Sequence, residues 1–256
     1  IASLEEEGFT DTTDVEALKA EINRLEDRVS KLREAAKEEA GQSARDFTGD
    51  GNRQYLTGLN LGGNRIAILI DVSASMLADA IVNVIRLRNM DSELQRSADK
   101  WQRALNTVDW LTSQLPINSQ YQIIAFNTEA QPVLSGTAGK WLEVADAAQL
   151  KAATEALRER LPSGGTNLHG AFDAVPALPG GPDNIFLITD GLPTQSYEPP
   201  RRTTISGRDR LSLFRKAVQR LPSGVPVNII LAPMEGDPMA ASEFWQLAQV
   251  SGGSFM

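Results

Sequence analysis

Two hydrophobic rhythms divide the chain. Val15, Leu18, Ile22, Leu25, Val29, Leu32 and Ala36 recur at alternating spacings of 3 and 4. That is a heptad with β-branched residues, then Ala36, at a and Leu at d, a choice that favours a parallel two-stranded coiled coil. The flanking charges point the other way. In a parallel pair Glu21 faces Glu26 and Arg28 faces Arg33, whereas an antiparallel pair lets Glu21 meet Arg28 and Lys19 meet Glu26. The spacing therefore predicts a helix over 14–40, within a stalk at 1–40, that self-associates in either orientation. The other reading is an amphipathic helix packed on its own domain. Three heptads are marginal alone, so stable pairing needs more helix upstream.

Residues 41–63, rich in Gly, Asp and Asn, read as a linker whose apolar piece Tyr55–Leu59 docks on the domain edge. From residue 64 the pattern alternates strand and helix. Arg65 to Val72 is a buried strand, with Ile66–Ile70 an unbroken apolar run. One turn-rich helix follows at 78–88, around Ile81, Val84 and Ile85. A clearer helix at 98–115 puts Trp101, Leu105, Val108, Leu111 and Leu115 on one face. Tyr121 to Phe126 is a second strand, and Asn127-Thr128-Glu129 turns it into a short third strand around Pro132-Val133-Leu134. Helices are expected at 146–160, 167–175, 209–220 and 240–250, and strands at Asn184–Thr189 and Val225–Leu231. Residues 252–256 read as a turn into one more strand. This order predicts an α/β fold over 64–256: a doubly wound, mostly parallel sheet with one short antiparallel strand, flanked by helices and preceded by the coiled-coil helix.

Composition narrows the function. The 256 residues, 41% hydrophobic, suffice for one domain with a sizeable core plus an appendage. No apolar run is long enough to span a membrane. The chain opens on Ile1 rather than Met, so it reads as a fragment or processed product. The absence of cysteine excludes disulfides, thiolate metal sites and a Cys nucleophile. It also suits an oxidising compartment. Of the net charge of −8, residues 1–50 carry −7, leaving the rest nearly balanced. No basic surface points to nucleic acid.

Three loops carry candidate chemistry. Asp71-Val72-Ser73-Ala74-Ser75 follows the first buried strand, where an open parallel sheet binds its ligands, and offers three hard oxygen donors of the kind Mg2+ prefers. Asp and Ser at such a junction equally serve as a helix start. Thr189-Asp190-Gly191 follows another apolar strand and sets a second carboxylate at the same sheet edge, where two acids repel unless a cation or proton lies between them. A plain turn is the alternative. In Ser163-Gly164-Gly165-Thr166-Asn167 the glycines permit close backbone approach and Thr166 adds a hydroxyl, although a helix cap also accounts for it.

Together these pieces resemble the von Willebrand factor A, or integrin I-like, family. Its metal ion-dependent adhesion site runs Asp-x-Ser-x-Ser, then Thr, then Asp, and Asp71, Ser73, Ser75, Thr166 and Asp190 match all five positions over a resemblance covering roughly 64–256. The stretch 77–97 is longer than usual for the family. The resemblance implies one divalent cation, Mg2+ with Mn2+ or Ca2+ as alternatives. Ser73, Ser75 and, in the ligand-competent state, Thr166 touch the metal directly, while Asp71 and Asp190 act mainly through water. An open coordination position takes a Glu or Asp carboxylate of a protein partner. A metal held largely by neutral hydroxyls keeps its appetite for that anion.

Tyr55-Leu56-Thr57-Gly58-Leu59, Lys100-Trp101-Gln102-Arg103-Ala104-Leu105 and Trp110-Leu111-Thr112 are similar to a bacterial, membrane-anchored coiled-coil subgroup of the family. That resemblance implies an upstream anchor ahead of the coiled coil, a domain on the periplasmic side of the inner membrane, and a membrane proton-channel subunit of the MotA/TolQ/ExbB type as partner, while homo-oligomerisation through 14–40 follows from the heptad spacing. The alternative is a cytoplasmic regulatory subunit of a MoxR- or chelatase-type AAA+ ATPase.

Other features read blandly. His169 is expected to be a solvent-facing first-turn residue, and one His without Cys is too few for an ordinary zinc site. Trp101, Trp110, Trp141 and Trp245 are expected to pack in the core or between helices. The loop 192–208, with Pro193, Pro199, Pro200, Arg201, Arg202 and Arg208, is either a basic selector of acidic partners or a disordered crossover. Neither a Gly-x-Ser-x-Gly elbow nor a phosphate-binding Gly-x-x-x-x-Gly-Lys-Ser/Thr loop is present, and no motif positions a general base, so the chain does not read as an enzyme.

Overall fold

A computed structural model describes residues 61–200 and 204–256 and, upstream, Arg24, Asp27, Arg28 and Lys31. The chain divides into two compact units, Ile1–Ser43 and Ala44–Met256. In the first unit the four described residues are helical and exposed. The heptad seam of 14–40, most of the stalk at 1–40 and residues 41–60 of the linker lie outside the described residues.

The second unit is a mixed α/β domain. Its strands are β1 (Arg65–Asp71), β2 (Gln120–Phe126), β3 (Ala130–Pro132), β4 (Leu142–Glu143), β5 (Asn184–Thr189) and β6 (Val227–Leu231). Its helices are α1 (Ile81–Leu87), α2 (Ser92–Arg96), α3 (Asp99–Ser113), α4 (Ala147–Arg158), α5 (Leu168–Ala174), α6 (Gly207–Val218) and α7 (Ala240–Ser251), with a 3-10 turn at Ala74–Leu77. The sheet runs β3-β2-β1-β5-β6. β1 pairs in parallel with both β2 and β5, and β5 with β6. Among the described residues only β2 has antiparallel neighbours: β3 at its carboxyl end and β4 at its amino end.

Alternation along β1 explains the layering. Ile66, Ile68 and Ile70 enter a core with Trp101, Leu105, Val108 and Leu111 of α3 and Leu150, Ala153 and Leu157 of α4. Ala67 and Leu69 face the other side, against Leu168 and Phe172 of α5, Phe214 of α6 and Phe244 of α7. A central parallel strand covered on both faces must be apolar throughout, and Ile66–Ile70 are fully buried. Polar residues begin helices where backbone N–H groups lack partners: Asp146 accepts from Gln149 N, Asn167 from Gly170 N and Ser206 from Asp209 N.

The structure moves several expected features. β3 begins two residues earlier than expected and keeps only Pro132 of Pro132-Val133-Leu134, and β4 was not foreseen. The segment 78–88 gives a shorter helix whose Ile81 and Ile85 are exposed rather than packed, with α2 following it. Trp245 is 54% exposed on α7 instead of buried. Residues 252–256 make a single parallel bridge, Ile229 with Phe255, in place of a full strand.

Candidate metal centre

Strand register builds the site. Ile70 of β1 lies opposite Ile188 of β5, so Asp71 ends its strand level with Thr189, one residue before Asp190. Both carboxylates are buried at this central sheet edge, with Ser73 and Thr166, while Ser75 is half-buried.

Backbone hydrogen bonds lace the three loops together. Ser163 N donates to Val72 O at 2.8 Å and Ala74 N to Gly164 O at 3.1 Å, joining the first loop to the second. Thr194 N donates to Thr166 O at 2.9 Å, and Thr166 N donates to the Thr194 hydroxyl at 2.9 Å, joining the second to the third. Gly165 is required for this approach: a Cβ there would stand 2.7 Å from Thr194 Oγ1 and 3.0 Å from Gln195 Oε1. Gly164 adopts a φ of 75°, which L side chains rarely take.

Side chains complete one connected cluster. Thr166 Oγ1 donates to Ser73 Oγ at 3.1 Å, Ser73 and Ser75 hydroxyls lie 2.9 Å apart, and Ser75 Oγ donates to Asp190 Oδ1 at 3.1 Å. Since Ser75 gives its proton to Asp190, Ser73 must be the donor to Ser75, and all three hydroxyl protons run toward the carboxylate. Asp71 Oδ1 accepts from Ser73 N, and Oδ2 from the Thr189 hydroxyl, each at 2.8 Å. Burial first, and the Asp190 charge second, push the Asp71 carboxyl up to about 7; the bonds from Ser73 and Thr189 oppose that rise.

These donors fit a small hard cation. Adjacent oxygens around an octahedral Mg2+ with bonds of ~2.1 Å stand ~3.0 Å apart, the spacing the three hydroxyls already hold. Among the described residues there is no group of three or more His, Cys, Asp or Glu suited to a metal, which leaves zinc poorly served.

The structure adds a residue that motif reading missed. Lys100 of α3 is buried, and its Nζ donates to Asp190 Oδ2 at 2.8 Å, Ser75 O at 3.1 Å and Ala78 O at 3.3 Å. Its signal was its place four residues before Ala104 and eight before Val108, on the buried stripe of the helix.

His169 is also corrected: it is 5% exposed, its ring set edge-to-face with that of the exposed Tyr197. Among the described residues its Nδ1 has no hydrogen-bond partner. Burial, and then the Arg220 charge, hold its imidazole below the usual range.

Residues 66–192 match the von Willebrand factor type A domain family. The match spans β1 through the Asp190 loop, and the mixed α/β fold is consistent with that family. Such domains are generally interaction modules rather than enzymes. No curated protein is significantly similar to the chain. Among solved structures, a von Willebrand factor type A protein from Catenulispora acidiphila is similar at TM-score 0.50 and 21% identity, over 75% of this chain and 38% of that one. The PilB minor pilin from Streptococcus sanguinis is similar at TM-score 0.44 and 16% identity, over 76% of this chain and 57% of its own. An aerotolerance-related membrane protein from Bacteroides fragilis is similar at TM-score 0.43 and 16% identity, over 76% and 90%. The chain thus spans less than two thirds of each of the first two. Among the described residues, no helix is long and apolar enough to cross a membrane.

Proposed function

We propose that the domain binds one divalent cation, Mg2+, Mn2+ or Ca2+, through Asp71, Ser73, Ser75, Thr166 and Asp190, and captures a Glu or Asp carboxylate of a protein partner at the coordination position left open. The supporting observation is the linked run of hydroxyls from Thr166 through Ser73 and Ser75 to Asp190, at 2.9–3.1 Å. Those contacts lie on three loops held rigidly together, so a cation meets a preformed set of oxygens. The half-buried Ser75 marks the side from which a ligand approaches. Binding is the role this chemistry suits: hydroxyls and buried carboxylates hold a metal, and all four oxygens of Asp71 and Asp190 already accept hydrogen bonds.

In the same reading residues 1–40 form a self-associating stalk, 41–63 a linker and 64–256 the binding domain. The assembly serves a membrane-anchored bacterial complex on the periplasmic side, with a proton-channel subunit as the membrane partner.

The test is a thermal melt of metal-stripped protein with and without Mg2+. The reading expects an upward shift that EDTA reverses and that Asp71→Ala removes. An equal shift in the variant, or none in the wild type at millimolar Mg2+, contradicts it.

A further inference from the structure

The ammonium of Lys100 is an unusual neighbour for a cation site. It is 1% exposed, reaches out of α3, and touches two of the three loops: Asp190 on one, Ser75 and Ala78 on the other. Its three partners are two carbonyl oxygens and a carboxylate oxygen, none able to donate. Three acceptors match the three N–H groups of a lysine side chain, and the contact with Asp190 is a buried ion pair at 2.8 Å. Asp190 is divided between two donors: Oδ1 takes the Ser75 proton and Oδ2 the Lys100 proton.

This fixes the charge of the centre. With Asp71 and Asp190 both ionised around a divalent metal, two carboxylates alone leave the loaded site neutral. With Lys100 it carries one positive charge, in a buried setting where water screens little. A singly charged anion neutralises it, and a neutral ligand does not.

We propose that Lys100 is a resident counter-ion that sets the specificity of the centre: it loosens the hold on the metal and makes the loaded site demand a monoanionic ligand, a carboxylate. The proposal rests on reading the cluster as a divalent-cation site. Lys100 acts by position, through its contacts with Asp190 and the Ser75 loop.

The test titrates Mg2+ calorimetrically into metal-stripped wild type and Lys100→Met. It then measures acetate binding to each Mn2+-loaded protein by broadening of the acetate methyl resonance. The expected result is Mg2+ affinity about tenfold or more higher in the variant and acetate affinity lower by a similar factor. Unchanged affinity for either probe, with wild type binding Mg2+, overturns the role of Lys100 and leaves the cation site standing. No Mg2+ binding in either protein removes both readings.

Because Lys100→Met strands a buried carboxylate, a second measurement adds Mg2+ to wild type only and uses Lys100→Arg solely to assign the signal. In 15N-lysine-labelled protein, a slowly exchanging ammonium signal that Lys100→Arg deletes should shift, and persist, on Mg2+ saturation. Its loss on adding metal means Lys100 leaves Asp190 and overturns the proposal.

Discussion

The hydroxyl of Thr166 lies 3.1 Å from that of Ser73, though 93 residues of chain separate them. The two loops meet because β1 is central to the sheet and the glycine pair at 164–165 brings the second loop close. Thr166→Val keeps the shape and removes the oxygen. Its stability cost should be about 1 kcal/mol, since one hydrogen bond is lost and the Ser73 oxygen is left short of a donor. Mg2+ affinity should fall by about tenfold or more, and Thr166→Ser should restore it. Calorimetry on the two variants checks this, and equal affinity in Thr166→Val and wild type counts against Thr166 as a ligand.

Asp71 gives a pH dependence with a defined sign. Its carboxyl is pushed up to about 7 in the folded protein, from an ordinary value of 3.8. Between those values the folded chain holds a proton that the unfolded chain has released. The stabilisation from this group is therefore complete below about pH 4 and lost as pH rises through 7. EDTA-treated protein should melt at lower temperature at pH 8 than at pH 5, and Asp71→Asn should flatten that difference. A metal-free melting profile unchanged by the substitution rules out this source of the dependence.

Gly165 tests the fit between loops. An added methyl meets the Thr194 hydroxyl at 2.7 Å, and that hydroxyl is held by Thr166 N. Gly165→Ala should cost about 1–3 kcal/mol through overpacking and should weaken Mg2+ binding because Thr166 moves. Chemical denaturation and calorimetry on one sample report both effects. Full stability and full affinity together contradict the packing account.

The sequence disclosed what repeats and concealed what occurs once. The run Ile66–Ile70 and the stretch Asn184–Thr189 read as strands because burial on both faces demands apolar residues throughout. β4 has only Leu142 and Glu143, too few for any period to show. Ile81 and Ile85 have helical spacing, but spacing does not say whether a face is covered, and here both are exposed. Trp245 and His169 misled in opposite directions, because residue type alone decides neither exposure nor burial. The carboxylates and hydroxyls of the site stood out by their order along the chain. Lys100 did not, because its partners are two carbonyls and a carboxylate 90 residues away, contacts that no local pattern encodes.

The most direct measurement is calorimetric titration of Mg2+ into metal-stripped wild type beside Ser75→Ala, whose half-buried side chain leaves the fold least disturbed. One-site binding in wild type, lost or strongly weakened in a variant with wild-type melting temperature, is the predicted result. Absence of binding in wild type, or equal binding in both, contradicts the cation site on which the account depends.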